Sequence, residues 1–147
     1  MSREVSADWS RVAAFAAAVD VSLGKWLADQ HGIGLTEYRA VAHLSAAADK
    51  ELRVNDLAVQ VGLNQSSVTR LVSRLEAKGL AIRDLCPDDR RGVYAVITEK
   101  GESLLHDSRA AYDEQVRELL GNADKHFPQF DLIQLRRSLA AVGDLIP

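Results

Sequence analysis

The chain has 147 residues, of which 47% are hydrophobic and 27% charged, so it can bury a sizeable core and does not have the composition of a disordered protein. A formal net charge of -3 excludes a uniformly basic coat, although it leaves room for a local basic patch. One cysteine excludes an intramolecular disulfide framework and a multi-cysteine zinc site. No apolar run approaches the about 18 residues that cross a bilayer.

The N-terminal stretch MSREVSADWS lacks the apolar core of a signal peptide, so we expect a soluble, cytoplasmic protein without a membrane partner. Helical spacing dominates the residues that follow. Apolar side chains recur at three- and four-residue steps over an Ala-rich stretch, which predicts one long helix over about 8–30 that ends at Gly32 and Gly34. Thr36 is predicted to cap a second helix that runs to about Ala48.

A short helix, a tight turn and a longer helix are predicted next. Asn55 fits the N-cap of the short helix, Val54 and Val59 have the spacing of a hydrophobic staple, and Gly62 fits its end. Asn64 then fits the N-cap of the longer helix, which Gly79 is predicted to end. The apolar positions of the longer helix follow the i, i+3, i+4, i+7 rule and are Val68, Leu71, Val72 and Leu75.

Two β-strands are predicted over Ala81–Leu85 and Val93–Ile97, and the charged loop CPDDRRG joins them into a hairpin. Thr98 is predicted to cap a long helix that ends at Gly121. Pro128 suits the first turn of a final helix. That helix carries an apolar stripe that must be buried in an intramolecular core or a subunit interface, and its members are Leu132, Leu135, Leu139, Val142 and Ile146.

The polar face of the helix that begins at Asn64 has no carboxylate before Glu76. Segment 63–94, which contains this helix, carries six basic and four acidic side chains, whereas the whole chain is acidic. Carboxylates would repel DNA phosphates, Gln and Arg can pair with base edges, and short hydroxyls can donate to phosphates. The helix-turn-helix order favours this interpretation over an ordinary solvated face. The candidate DNA-contacting residues are Gln65, Ser66, Ser67, Thr69, Arg70 and Arg74.

The tip of the predicted hairpin carries Asp88, Asp89, Arg90 and Arg91. A hairpin that follows a recognition helix can reach the flanking minor groove, where the negative potential attracts an arginine. We expect Asp89 to pair with a nearby arginine and fix the shape of this wing, while Arg91 points to DNA. The alternative is a self-neutralised turn.

The run NDLAVQVGLNQSSVTRLVSRLEAKGLAIRDLCPDDRRGVYAVITEKG resembles the winged helix-turn-helix core of MarR-family transcriptional regulators. The matching motifs are LA-x-x-x-GL before the recognition helix, SVTRLVSRLEAKGL within and after it, and DRRG…ITEKG in the wing. The flanking helices and the total length fit as well. Many members have Arg at the position of Gln65, so the resemblance implies the mode of binding but does not specify the base preference of this chain.

The resemblance implies a mainly α fold with a small β-hairpin wing. It divides the single chain 1–147 into a winged helix-turn-helix DNA-binding lobe, 35–100, and a helical dimerisation region, 1–34 with 101–147. It also implies a homodimer that places two recognition helices in successive major grooves of a pseudo-palindromic operator on double-stranded DNA. The function that the resemblance implies is that of a ligand-responsive repressor.

A small-molecule effector would bind in a cleft between the dimerisation helices and the DNA-binding lobe, as the resemblance suggests. The candidate residues for lining it are Trp26, Tyr38, Arg39, His43 and Tyr112, and core packing is the competing interpretation for each. Cys86 lies near several arginines in sequence, so a thiol-based redox-sensing regulator is an alternative function. A winged-helix module that contacts a protein partner is another.

No catalytic or metal-binding motif stands out. The four histidines are not spaced at i, i+4, and neither a nucleophile elbow nor a phosphate-cradling glycine loop is present. We therefore expect a protein that is not an enzyme and that needs neither a metal nor another cofactor.

Overall fold

The structure is a computed structural model, and it describes residues 4–85 and 92–145. A short 3-10 turn, Ala48–Lys50, precedes the first strand. The other elements, in chain order, are α1 (Val5–His31), α2 (Leu35–Ala46), β1 (Glu51–Arg53), α3 (Val54–Val61), α4 (Gln65–Ala77), β2 (Ala81–Leu85), β3 (Val93–Ile97), α5 (Glu99–Gly121), α6 (Ala123–His126) and α7 (Leu132–Gly143).

The chain forms two compact units. One consists of Met1–Trp26 with Ala111–Pro147, and the other of Leu27–Ala110. The predicted lobe 35–100 falls within the second unit. Within the described residues, no helix combines the length and the apolar character needed to cross a membrane.

The second unit contains a three-stranded antiparallel sheet in the order β1-β3-β2. Strands β2 and β3 pair from Ala81 opposite Ile97 to Leu85 opposite Val93, and both strands have the bounds predicted from the sequence. Strand β1 was not predicted, because three residues are too few to show an alternating pattern. It adds a third strand, so the predicted hairpin supplies two of the three strands of the sheet.

The core of the second unit is built by α2, α3 and α4. The predicted apolar stripe of α4 is confirmed, since Val68, Leu71, Val72 and Leu75 are all fully buried. Leu44 from α2 and Leu57 from α3 are fully buried as well. Burial of this stripe leaves the opposite face of α4 exposed.

Two predicted caps in this unit are wrong. Helix α2 begins at Leu35 with Gly34 as its N-cap, so Thr36 lies inside the first turn. Helix α3 begins at Val54 because β1 runs directly into it, and Asn55 makes no cap. The predicted staple is also wrong, since Val59 is 81% exposed and Val54 is buried.

The first unit is helical. Phe15 of α1 packs edge-on against Phe127 and Phe130, with ring centroids 5.6 and 5.5 Å apart. Ser138 Oγ of α7 donates to Asp8 Oδ1 of α1 over 3.3 Å. These contacts hold α1 against the C-terminal segment.

The final helix begins later than predicted. Asp131 is its N-cap, and its Oδ1 accepts from the N–H groups of Ile133 and Gln134 at 2.9 and 3.2 Å. Pro128 therefore lies in the preceding connection and not in the first turn of α7. Leu135 of the predicted stripe is buried but Leu139 is 49% exposed, and Ile146 lies outside the described residues.

Candidate nucleic-acid interface

The orientation of α4 is fixed at both ends. Gly62 has φ +73°, which ends α3 and turns the chain towards α4, and Gly79, with φ +72°, follows its C-terminus. Asn64 is the N-cap, as predicted, and its Oδ1 accepts from the N–H of Ser67 at 2.9 Å and from Ser66 Oγ at 3.0 Å. The sequence around α4 thus specifies where the helix starts, where it ends and which face it exposes.

The candidate DNA-contacting residues share this exposed face. Ser67 is half-buried, and the exposed members are Gln65, Ser66, Thr69, Arg70 and Arg74. No carboxylate interrupts the face before Glu76. Such a surface can approach phosphates and base edges without like-charge repulsion.

Three hydroxyls on this face are already used as donors, including that of Ser66, which donates to Asn64 Oδ1. Thr69 Oγ1 donates to the carbonyl of Gln65 at 2.9 Å, and Ser73 Oγ donates to the carbonyl of Thr69 at 3.1 Å. The side chain of Arg70, in contrast, makes no hydrogen bond or ion pair to another described residue. As far as the described residues go, Arg70 is exposed and available for a contact with DNA.

Arg83 of β2 connects the sheet to α4. Its Nη2 donates to the carbonyl of Thr69 at 3.0 Å and to Ser73 Oγ at 2.7 Å. Its Nη1 pairs with Glu76 Oε1 at 2.5 Å. No motif marks Arg83, because its role arises only from the packing of β2 against α4.

A cleft of about 260 Å³ lies between the start of α4, the start of α3 and the sheet. The described residues that line it include no carboxylate and are Arg53, Val54, Asn55, Gln65, Thr69, Arg83, Gly92 and Val93. The Arg53 guanidinium lies over the ring of Tyr94, 5.4 Å from its centroid. Two arginines and two amides in one concavity suit an anionic group such as a phosphate.

Glu37 of α2 anchors the C-terminal half of α4, and the sequence analysis missed it. Its side chain is 7% exposed and accepts from Lys78 Nζ at 2.6 Å, Arg74 Nε at 3.3 Å and the N–H of Gly34 at 3.0 Å. Burial acts to raise the pKa of Glu37, but the hydrogen bonds from Lys78, Gly34 and Arg74, together with the charge of Lys78, outweigh burial and leave the pKa lowered.

The remaining candidates are the wing residues, Cys86 and the proposed effector-binding residues. Asp89, Arg91 and Cys86 lie outside the described residues. His43 lines a cavity of about 280 Å³ with residues that include Leu52 and Gln60. The other proposed effector-binding residues do not line that cavity, namely Trp26, Tyr38, Arg39 and Tyr112. In the part of the chain that the structure describes, no group of three or more His, Cys, Asp or Glu side chains could hold a metal ion.

These elements together define a winged helix-turn-helix protein. They are a short helix, a glycine turn, a capped helix with a polar exposed face, and an antiparallel sheet bonded to that helix. Comparison with known proteins narrows this class. A sequence model described as MarR family matches residues 31–92. Over these residues the chain is similar to the MarR family.

Three relatives illustrate the similarity. The HTH-type transcriptional regulator MhqR of Bacillus subtilis (strain 168) is 34% identical over 91 residues, which are 62% of this chain and 61% of MhqR. A MarR family transcriptional regulator from Silicibacter pomeroyi DSS is 28% identical with a TM-score of 0.61, and the match covers 86% of this chain and 78% of that one.

The third relative is Sco3205, a MarR family transcriptional regulator from Streptomyces coelicolor whose structure is in complex with DNA. Its TM-score is 0.74 and its identity 24%, and the match covers 94% of this chain and 82% of that one. It shares the fold. The chain matches about three fifths of the length of the curated relative MhqR.

Proposed function

We propose that the chain is a DNA-binding transcriptional regulator, a cytoplasmic homodimer that represses by occupying a pseudo-palindromic operator and is released by a small-molecule effector. The observation that carries this proposal is the exposed face of α4, which is free of carboxylates from Gln65 to Arg74. The face belongs to a helix that is capped at Asn64 and anchored by Glu37 and Arg83. Its side chains are therefore presented on a rigid support.

Exposed apolar side chains in the first unit support the homodimer. Most of the exposed large apolar side chains among the described residues belong to this unit, and they include Trp9, Val21, Leu120, Ile133 and Leu139. Isologous burial of these residues against a second copy is the commonest solution for soluble oligomers. Two half-sites one helical turn apart, about 34–36 Å, also require two copies of α4.

Release by an effector follows from linkage. A ligand that prefers a spacing of the two recognition helices that mismatches the half-sites weakens DNA binding by its differential affinity for that spacing. Among the cavities described above, the one lined by His43 contains one of the five effector-binding candidates. Substitution of His43 by Ala is expected to change release and to leave operator affinity intact.

Selection of bound sites from random DNA duplexes tests the proposal. We expect a pseudo-palindromic consensus, and the observed binding constant should fall steeply as salt rises, because each neutralised phosphate releases counterions. A control chain with Gln65, Arg70 and Arg74 replaced by Ala should select nothing. If the wild-type chain enriches no duplex, or if its binding is insensitive to salt, the function is not DNA binding and a protein-partner module becomes the better explanation.

The selected site also tests the role of Arg70. Replacing Arg70 by Ala is expected to cost about 1–3 kcal/mol and to relax specificity at one base position per half-site. Binding to a panel of sites, each with one altered base pair, measures this. A uniform loss across the panel would make Arg70 a phosphate contact.

A further inference from the structure

We propose that Glu37 is a positioning residue of the protein–DNA complex, which holds Arg74 as a fixed phosphate ligand and leaves Arg70 as the arginine of α4 that reads bases. This inference rests on the proposed function. The two arginines lie one helical turn apart on the same face. The inference assigns phosphate contact to one of them and base reading to the other, which the sequence alone does not do.

The carboxylate of Glu37 is in a position to do this. It is buried and belongs to α2, whereas Arg74 belongs to α4, so their bond joins two elements of the lobe. Lys78 Nζ and the N–H of Gly34 hold the same carboxylate from other directions. Glu37 therefore has little freedom to follow Arg74, so the position of its carboxylate fixes the position of the Arg74 guanidinium.

The bond uses only one corner of the guanidinium. Arg74 donates to Glu37 through Nε, and its two terminal nitrogens make no hydrogen bond to another described residue. A guanidinium is planar and rigid, so fixing Nε also fixes the direction of the terminal N–H groups. Those groups match the two oxygens of a phosphate.

Arg70 is in the opposite situation. Its side chain is exposed and makes no bond within the described residues, and it lies nearer the N-terminus of α4. Residues near the N-terminus of a recognition helix contact base edges. Arg70 can adapt to a base edge, whereas Arg74 is held in one pose.

The proposal predicts that neutralising Glu37 lowers the affinity for DNA, which is the opposite of the effect expected from net charge alone. Removing a negative charge near DNA ordinarily strengthens binding. Glu37→Gln is expected instead to weaken operator binding about three- to tenfold, because Arg74 loses the partner that orders its side chain before DNA binds. Glu102→Gln is the matched control. Glu102 is a carboxylate that also pairs with a lysine, Lys50, and has no bond to α4.

A double-variant cycle on the selected operator tests the proposal, with dissociation constants from fluorescence anisotropy and folding checked by circular dichroism. Arg74→Ala should weaken binding about equally at every altered site. Adding Glu37→Gln to Arg74→Ala should cost no more than about a further twofold, since Glu37 acts through Arg74. Glu102→Gln should bind as tightly as the wild type or more tightly.

Arg74→Lys keeps both the charge and Glu37, so it decides the question if Glu37→Gln does not fold. A lysine cannot bond Glu37 and present two parallel N–H groups to a phosphate, so this variant should lose nearly as much affinity as Arg74→Ala. Three outcomes would overturn the inference while leaving the proposed function intact. These are wild-type affinity in Arg74→Lys, undiminished affinity in Glu37→Gln, and a loss in the double variant that equals the product of the two single losses. A base-specific loss in Arg74→Ala would reverse the assignment of the two arginines. If the wild-type chain selects no duplex, both the inference and the proposed function fail.

Discussion

Gly101 lies in the first turn of α5, where that helix passes against the backbone that enters β2. A Cβ at this position would lie 2.8 Å from Ile97 Cγ1 and 3.3 Å from the carbonyl carbon of Leu80, and closer still to the carbonyl oxygen of Leu80. That oxygen cannot move away freely, because it accepts from the N–H of Thr98 at 3.1 Å. Gly101→Ala must therefore displace the start of α5 or the start of the sheet.

The expected magnitude follows from two opposing effects. Replacing glycine by alanine in a helix ordinarily stabilises a protein by about 0.5–1 kcal/mol. Overpacking against a structure that cannot yield costs about 1–3 kcal/mol, occasionally more. The difference between the two effects leads us to expect that Gly101→Ala lowers the free energy of unfolding by up to about 2.5 kcal/mol, since the backbone of Leu80 cannot yield easily.

Urea unfolding at one fixed protein concentration measures this difference. Gly143→Ala is the matched control, because Gly143 also lies in a helix and a Cβ there would meet no atom within 4 Å. The control should gain up to about 1 kcal/mol. If Gly101→Ala unfolds at the same urea concentration as Gly143→Ala, the close approach of α5 to Leu80 is not a feature of the folded protein.

Asn64→Ala should cost about 0.5–2 kcal/mol in thermal unfolding, because the cap on Ser67 is lost, whereas Asn55→Ala should be nearly neutral. Equal costs would contradict the assigned caps. The pKa of Glu37 is lowered in the folded state, so its contribution to stability is complete above the ordinary glutamate pKa and is lost as the pH falls through the lowered value. Urea midpoints between about pH 7 and pH 3 should therefore fall more steeply in the wild type than in Glu37→Gln, and parallel curves would refute this linkage. Arg91→Ala should weaken operator binding most at sites with A·T-rich flanks, and equal loss with G·C-rich flanks would exclude reading of a narrow minor groove.

Local sequence signals predicted the elements that depend on local chemistry. The helix α4 combines a side-chain cap at Asn64, a buried stripe with helical spacing and a glycine with positive φ just after it, so its sequence specifies it from end to end. Strands β2 and β3 are five residues each, and β3 is rich in β-branched and aromatic side chains, so the hairpin could be predicted as well.

The errors occurred where long-range contacts decide. Asn55 has the side chain of an N-cap, but pairing of β1 with β3 carries the chain into α3 two residues earlier. Thr36 was displaced as a cap because Glu37 reaches back to the N–H of Gly34. Glu37 and Arg83 were missed as parts of the candidate interface for the same reason. Their partners lie on other elements, and Glu37 and Arg74 are 37 positions apart in sequence.

The bonds that Arg83 makes to α4 limit how this lobe could be re-engineered. One guanidinium on β2 spans from the carbonyl of Thr69 to the carboxylate of Glu76, about two turns of helix. Grafting only the exposed residues of α4 from a relative would keep this joint, whereas exchanging the whole sheet would break it unless Arg83 and Glu76 were transplanted as a pair. Chimeras between relatives should therefore tolerate exchange of the exposed residues of α4 better than a junction placed between α4 and β2.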